Sequence, residues 1–225
     1  MKLLALDTST EYCSAALYAG GQVTSRGEHA GQRHSELLVP MVDALLRDAG
    51  ISVRDLDAVA FAQGPGSFTG LRIACAVSQG LAFAAGIPVV PVGTLLALAE
   101  GSRDDRAICC TDARMNEVYF AAYERQGGEW TTVQEPVVTP PSAAPVPPGG
   151  GWTVCGNGFA AYREALQSRL QDAMSVVSEV QWPHASDVAV LGVSLYTAGN
   201  HVPASEAVPL YIRDKVALKT DERRR

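Results

Sequence analysis

The chain is poor in the groups that metal and redox chemistry use. Its four histidines, His29, His34, His184 and His201, stand in no HxxxH or HExxH spacing, so no metal site is expected. Its five cysteines, Cys13, Cys75, Cys109, Cys110 and Cys155, form no CxxC pair. Basic clusters are missing too. Arg223–Arg225 is the one run, it reads as a solvated tail, and a formal net charge of −6 leaves too little cationic surface to grip nucleic acid alone. Long apolar runs are absent as well. Leu3–Leu6 is stopped by Asp7, short of the roughly 7–15 residues of a secretory core. Leu81–Leu98 is broken by Gly86, Pro88, Pro91 and Gly93, which excludes it as a membrane span. An odd cysteine count without an export signal predicts a reduced, cytoplasmic protein with no membrane partner.

What is present is a globular composition, 47% hydrophobic and 19% charged over 225 residues, enough for one large domain or two small ones. KLLALD and CSAALYAGG read as two strands joined by a turn, the second ended by Gly20-Gly21. SELLVPMVDALLRDAG reads as a helix, with Leu37, Leu38, Met41, Val42, Leu45 and Leu46 on one stripe and Pro40 expected to start or kink it. LDAVAFAQ is a buried strand, GSFTGLRIACAVSQGLAFAAG a second helix closed by Gly86, and IPVVPVG a short strand. This alternation predicts an α/β layer fold. AICCTDARMNEVYFAAYERQGG reads as strand–turn–strand, the Pro-rich stretch 134–151 as an irregular surface loop, and FAAYREALQSRL as a helix. The two hairpins echo one another. Each has an Asp at the end of its first strand (Asp7, Asp112), a Glu after the turn (Glu11, Glu117), a Tyr in its second strand (Tyr18, Tyr123) and a closing Gly-Gly. Either the likeness is chance, or the chain holds a duplicated unit with a cleft between its halves.

QGPGSFTGLR, residues 63–72, looks like a phosphate loop and fails the tests for one. Gly70 is followed by Leu71 and Arg72, not by the Lys-Ser/Thr of a Walker A loop. Gly64, Gly66 and Gly70 space as GxGxxxG, and no acidic residue ends the next strand to hold a ribose. Pro65 excludes a nucleophile elbow, and Ser67 reads as the N-terminal residue of the helix. Gly70, Ala74, Ser78 and Ala82 leave one helix face almost bare, fit to pack on this chain's own sheet or to receive another chain. Asp7 and Asp112 can hold Mg²⁺ through water near a phosphate, or cap their own turns.

LLALDTST, RHSELLVPMVDALL, AVAFAQGPGSFTGLRIACAVSQGLAFAAGIPVV, DARMNEVYFAAY and PLYIRDKVALK, in this order, resemble the bacterial TsaB family of tRNA threonylcarbamoyladenosine biosynthesis proteins, also called YeaZ. The resemblance spans nearly the whole chain. It implies an actin-like, Hsp70-like ATPase fold of ribonuclease H-like lobes, with an N-terminal lobe over residues 1–102 and a second lobe over 103–225 whose end returns to the first. It implies a non-catalytic subunit working with a TsaD-type catalytic subunit and a TsaE-type ATPase, meeting tRNA only through their complex. The complex installs threonylcarbamoyl on the adenosine beside the anticodon of tRNAs reading codons that begin with A. The catalytic relative's two metal histidines correspond here to Thr94 and Leu98, which implies no catalytic residue, no metal and no cofactor of this chain's own, with ATP or ADP entering at the complex interface. Docking through the two N-lobe helices makes His34, Leu38, Met41, Val42, Leu45, Arg72, Cys75, Ala76 and Gln79 candidate contacts, which a homodimer of the free chain would share. Asp7, Thr8, Gly66, Asp112 and Gly156 are candidates for a vestigial nucleotide cleft. The alternatives are an ATP-dependent phosphotransferase of the same superfamily, with Asp7 and Asp112 on Mg-ATP, and a peptidase.

Overall fold

The computed structural model describes residues 1–213; the predicted basic tail Arg223–Arg225 and the end of PLYIRDKVALK lie outside them. Two five-stranded sheets organise the chain. The first is built from β1 (Lys2–Asp7), β2 (Tyr12–Ala19), β3 (Gln22–His29), β4 (Ala58–Gly64) and β5 (Val89–Gly93), in the order β3-β2-β1-β4-β5. The second is built from β6 (Arg106–Arg114), β7 (Glu117–Gln126), β8 (Glu129–Thr139), β9 (Trp152–Cys155) and β10 (Met174–Val177), in the order β10-β9-β6-β7-β8. Read from the hairpin edge, the two orders are the same. In each, the first three strands are antiparallel and the fourth and fifth continue parallel to the first. The hairpin echo is therefore a duplicated α/β unit, and the two lobes are of the actin-like ATPase type.

The paired glycines do more than end a strand. Gly20-Gly21 and Gly127-Gly128 all have positive φ and make the two-residue turns that bring β3 and β8 back onto β2 and β7. β3 was not legible, because every one of its residues is exposed and an edge strand with no buried face shows no apolar alternation. The Pro-rich stretch needs a correction. Gln134–Thr139 belongs to β8, with Ala122 opposite Gln134 and Phe120 opposite Val137. The extra residue there is a bulge holding Glu135 and Pro136, where a proline forfeits no ladder hydrogen bond. Only the part after Thr139 is irregular, with one 3-10 turn at Pro141–Ala143.

Helices α1 (His34–Asp48) and α2 (Phe68–Ala85) cover one face of the first sheet. Pro40 lies inside α1 and does not start it. α2 is capped by Ser67, whose Oγ accepts from Gly70 N at 3.3 Å, and is closed by left-handed Gly86. α3 (Thr94–Ser102) leaves the first sheet and packs under the second, where Leu95, Leu98 and Ala99 meet Cys109, Ala121 and Cys155. α4 (Asn157–Ala161) and α5 (Arg163–Leu170), which divide the single helix expected there at Tyr162, cover the other face of the second sheet. α6 (Ala185–Thr197) returns to the first sheet, seating Ala185, Val188 and Ala189 against Leu3, Ala5 and Ala60. Gly192 allows this approach, since a Cβ there would stand 2.9 Å from Ala60 Cβ.

An ionic cluster ties the crossing helices together, its carboxylates Glu100 and Asp187 buried and its Arg103 exposed. Arg103 donates to Glu100 at 3.2 Å and to Asp187 of α6 at 2.7 Å. Glu100 also accepts from Trp130 Nε1 at 2.8 Å and pairs with Arg125. Burial pushes the Asp187 carboxyl up to about 6, with Arg103 pulling the other way.

Candidate functional site

The two hairpin turns face each other across a cavity of about 500 Å³. Ser9, Thr10, Glu11, Gly66, Ser67 and Phe68 form its first-lobe wall; Thr111, Asp112, Arg114, Tyr119 and Asn157 form its second. Asn157 Nδ2 donates to Glu11 Oε1 at 3.2 Å and joins the walls. Sequence reasoning missed this bridge, although Glu11 stood out in the hairpin echo.

The glycine-rich loop spends its freedom on close packing. Ser67 N donates to Ser9 O at 2.7 Å, and Thr8 Oγ1 donates to Gly70 O at 2.7 Å. A Cβ on Gly66 would stand 3.0 Å from Ser9 Cβ, and one on Gly70 would overlap the Thr8 carbonyl oxygen. Glycine is required at both positions because the start of α2 lies directly on the β1–β2 turn. The bare stripe Gly70, Ala74, Ser78 and Ala82 is buried, so the small-residue face serves this chain's own core. By length and composition α2 could cross a bilayer, and it lies here with that face in the core.

Of the candidate cleft residues, Gly66 and Asp112 line the cavity; Asp7, Thr8 and Gly156 do not. Asp7 has no exposed surface. Its Oδ1 accepts from Ser9 N and Ser9 Oγ, both at 2.7 Å, which is the turn-capping role, and its Oδ2 has no partner among the described residues. Burial raises this carboxyl to about 7, the Ser9 hydrogen bonds opposing. Gly156, with φ of 105°, lets the start of α4 press on the Cys110 backbone. Asp112 is already engaged: Oδ1 accepts from Arg114 N at 2.8 Å and Tyr162 OH at 3.1 Å, and Oδ2 pairs with Arg114 at 3.0 Å. Thr94 and Leu98 lie one turn apart on α3, fully buried, with Leu98 in the apolar cluster around Cys109 and Cys155. Neither Asp7 nor Leu98 offers a free ligand to the cavity.

The docking candidates divide sharply. His34, Leu38, Val42, Leu45 and Cys75 are core residues of this chain, because the stripe that seats each helix on its sheet is its apolar one. His34 Nε2 lies 2.7 Å from Thr10 O, a partly buried contact to the turn of the first hairpin. Met41 and Gln79 are half-buried, and Arg72 and Ala76 are exposed. The outward faces carry other residues as well. Phe83 on α2 is 82% exposed and Val39 on α1 is 54% exposed. The helical stripe marked what packs inward; these outward apolar residues break it and were the better signal for a surface.

The comparisons with known proteins agree with this architecture. Residues 23–220 match the family model described as TsaD: tRNA N6-adenosine threonylcarbamoyltransferase. The chain is 35% identical to the tRNA threonylcarbamoyladenosine biosynthesis protein TsaB of Escherichia coli strain K12, covering 97% of both chains. It is 35% identical to the protein of the same name from Haemophilus influenzae, covering 97% of this chain and 96% of that one. A solved structure, YeaZ from Pseudomonas aeruginosa, superposes with a TM-score of 0.87 at 39% identity, covering 93% of this chain and 99% of that one. With the order of ten strands, the crossing helices and the near-complete overlap in agreement, the chain belongs to the TsaB (YeaZ) family of tRNA threonylcarbamoyladenosine biosynthesis proteins.

Proposed function

We propose that this chain is a non-catalytic subunit of the cytoplasmic machinery that places threonylcarbamoyl on the adenosine beside the anticodon. Its task is to bind and support a TsaD-type catalytic subunit. Membership of the tRNA threonylcarbamoyladenosine pathway rests on relatives of that name matched over nearly the whole chain, the one observation that carries the reading. The non-catalytic role is supported by the cleft. Asp7 is sealed behind Ser9, Asp112 is neutralised by Arg114, and Leu98 fills a position where a ligand would be needed. Docking is supported by the outward apolar side chains Val39 and Phe83, with Arg72 and Ala76 exposed on the same helix as Phe83. The same faces would pair two copies of the free chain. A TsaE-type ATPase, and ATP or ADP at the subunit interface, complete the proposal; tRNA meets the assembly and not this chain alone. The test is reconstitution. Catalytic subunit, ATPase, threonylcarbamoyl-adenylate and unmodified tRNA are combined with and without this chain, and the modified nucleoside is quantified. Modification should depend on the chain; equal yield without it would overturn the reading.

A further inference from the structure

Residues 202–213 build no part of either sheet beyond a single bridge from Val202 to Val89, and run along α2 before reaching the cavity. On α2, the Ala207 carbonyl accepts from Cys75 Sγ at 3.4 Å and Gln79 Nε2 at 2.9 Å. Leu210 N donates to Gln63 O at 2.7 Å, and Gly64 leaves room for the Leu210 carbonyl. Arg72 Nε donates to Tyr211 OH at 3.0 Å, and the Tyr211 ring lies 5.4 Å from that of Phe68. The segment then reaches the second lobe, where Arg213 pairs with Glu117 and lies 3.4 Å from Met115 Sδ. Leu210, Tyr211, Ile212 and Arg213 all line the cavity. Ala207 is anchored in the first-lobe core, but the apolar side chains after it stay largely outside: Val208 is 64% exposed, Leu210 39% and Tyr211 45%. A stretch held by a few polar contacts, with little apolar burial, opens at lower free energy than the sheets beneath it.

We propose that residues 207–213 are a latch that forms one wall of the interlobe cavity and covers Cys75 and Gln79 of α2 at once, and that it lifts when a partner engages α2. The inference rests on the docking reading above, because the covered residues lie on the helix offered to the partner. Lifting the latch breaks the Arg213–Glu117 pair, removes one wall of the cavity and frees two α2 side chains, so cavity access and α2 docking are coupled.

Cys75 reports on this directly. It is a core residue whose Sγ donates to the Ala207 carbonyl of the latch, whereas Cys13 has no exposed surface within the same core and Cys109, Cys110 and Cys155 lie in the core of the second lobe. The free chain is treated with N-ethylmaleimide, and labelling of each cysteine is timed by peptide mass spectrometry. Glu117→Gln and Arg213→Ala should each speed labelling of Cys75 about tenfold while the other four keep their rates, the mark of local opening. Unchanged Cys75 rates in both variants, or all five thiols accelerating together, would overturn the latch. Adding the TsaD-type subunit to the wild-type chain should change the Cys75 rate; binding with no change would overturn the coupling. If no complex forms, the docking reading fails, and the rates of the free chain still decide whether the latch exists.

Discussion

Replacing Gly70 with alanine separates two accounts of the glycine-rich loop by the sign of a stability change. Gly70 lies inside α2, where alanine ordinarily favours the helix by about 1 kcal/mol. If the loop were merely a flexible turn ahead of the helix, Gly70→Ala would stabilise the protein. The structure gives the opposite expectation. The added methyl would overlap the Thr8 carbonyl oxygen and stand 3.0 Å from Thr8 C, and both atoms are backbone that no side-chain rotation can move. α2 must lift from the β1–β2 turn, at about 1–3 kcal/mol for overpacking. The 2.7 Å hydrogen bond from Thr8 Oγ1 to Gly70 O is lost as well, about 1 kcal/mol more. After the gain in helix propensity, a net destabilisation of about 1–3 kcal/mol remains. Gly80 is the control, since it lies on the same helix, is exposed, and a Cβ there meets nothing within 4 Å. Gly80→Ala should therefore stabilise, by up to about 1 kcal/mol. Urea unfolding measures both, with the midpoint moving and the slope m constant. A Gly70→Ala protein as stable as Gly80→Ala would refute the close-packing account.

Four further outcomes are expected. Asp7→Asn should change how stability depends on pH: burial raises the wild-type carboxyl from 3.8 to about 7, so its favourable protonated form is fully present below pH ~4 and is lost as pH rises through 7. Relative to wild type the variant should gain up to about 4 kcal/mol between pH 4 and pH 8; a pH-independent difference in unfolding free energy would contradict this. Arg103→Ala leaves Asp187 without its ion-pair partner and should cost about 1–2 kcal/mol at pH 8. The loss should shrink by pH 5, where the Asp187 carboxyl, raised to about 6 by burial, is protonated in both proteins; calorimetry at the two pH values checks it. Phe83→Asp should leave thermal stability within about 0.5 kcal/mol of wild type, because the ring is 82% exposed, while weakening any complex built on α2 at least tenfold by titration calorimetry. The chain alone should turn over no ATP; phosphate release that disappears in Asp112→Ala would point to the phosphotransferase alternative.

Much of the fold was legible because its elements carry clear periods. β1, β4 and β5 are apolar runs ended by Asp or Gly, and α2 runs from a serine cap to a left-handed glycine; the Asp–Glu–Tyr–Gly-Gly echo left chance and duplication both open, and the matching strand orders decide for duplication. What stayed hidden lacked a local signal. β3 buries nothing, β8 holds a proline that its edge position and bulge tolerate, and β10 has four residues, one half-buried and three exposed. The candidate surface was the weakest part. An apolar stripe says that a helix face is buried without saying by what, and Leu38, Val42 and Leu45 proved to be buried by this chain itself. The latch joins Arg213 to Glu117 across 96 positions, a pairing that depends on the two lobes facing each other and leaves no trace in either neighbourhood.

In the proposed function, the outward face of α1 and α2 docks the catalytic subunit. The most direct test is the solution mass, by light scattering, of an equimolar mixture with a TsaD-type catalytic subunit, for the wild type and for Phe83→Asp. A one-to-one complex with the wild type, lost in the variant while the variant stays folded, is the predicted result. Two separate masses with the wild type, or an undiminished complex with Phe83→Asp, would contradict the account.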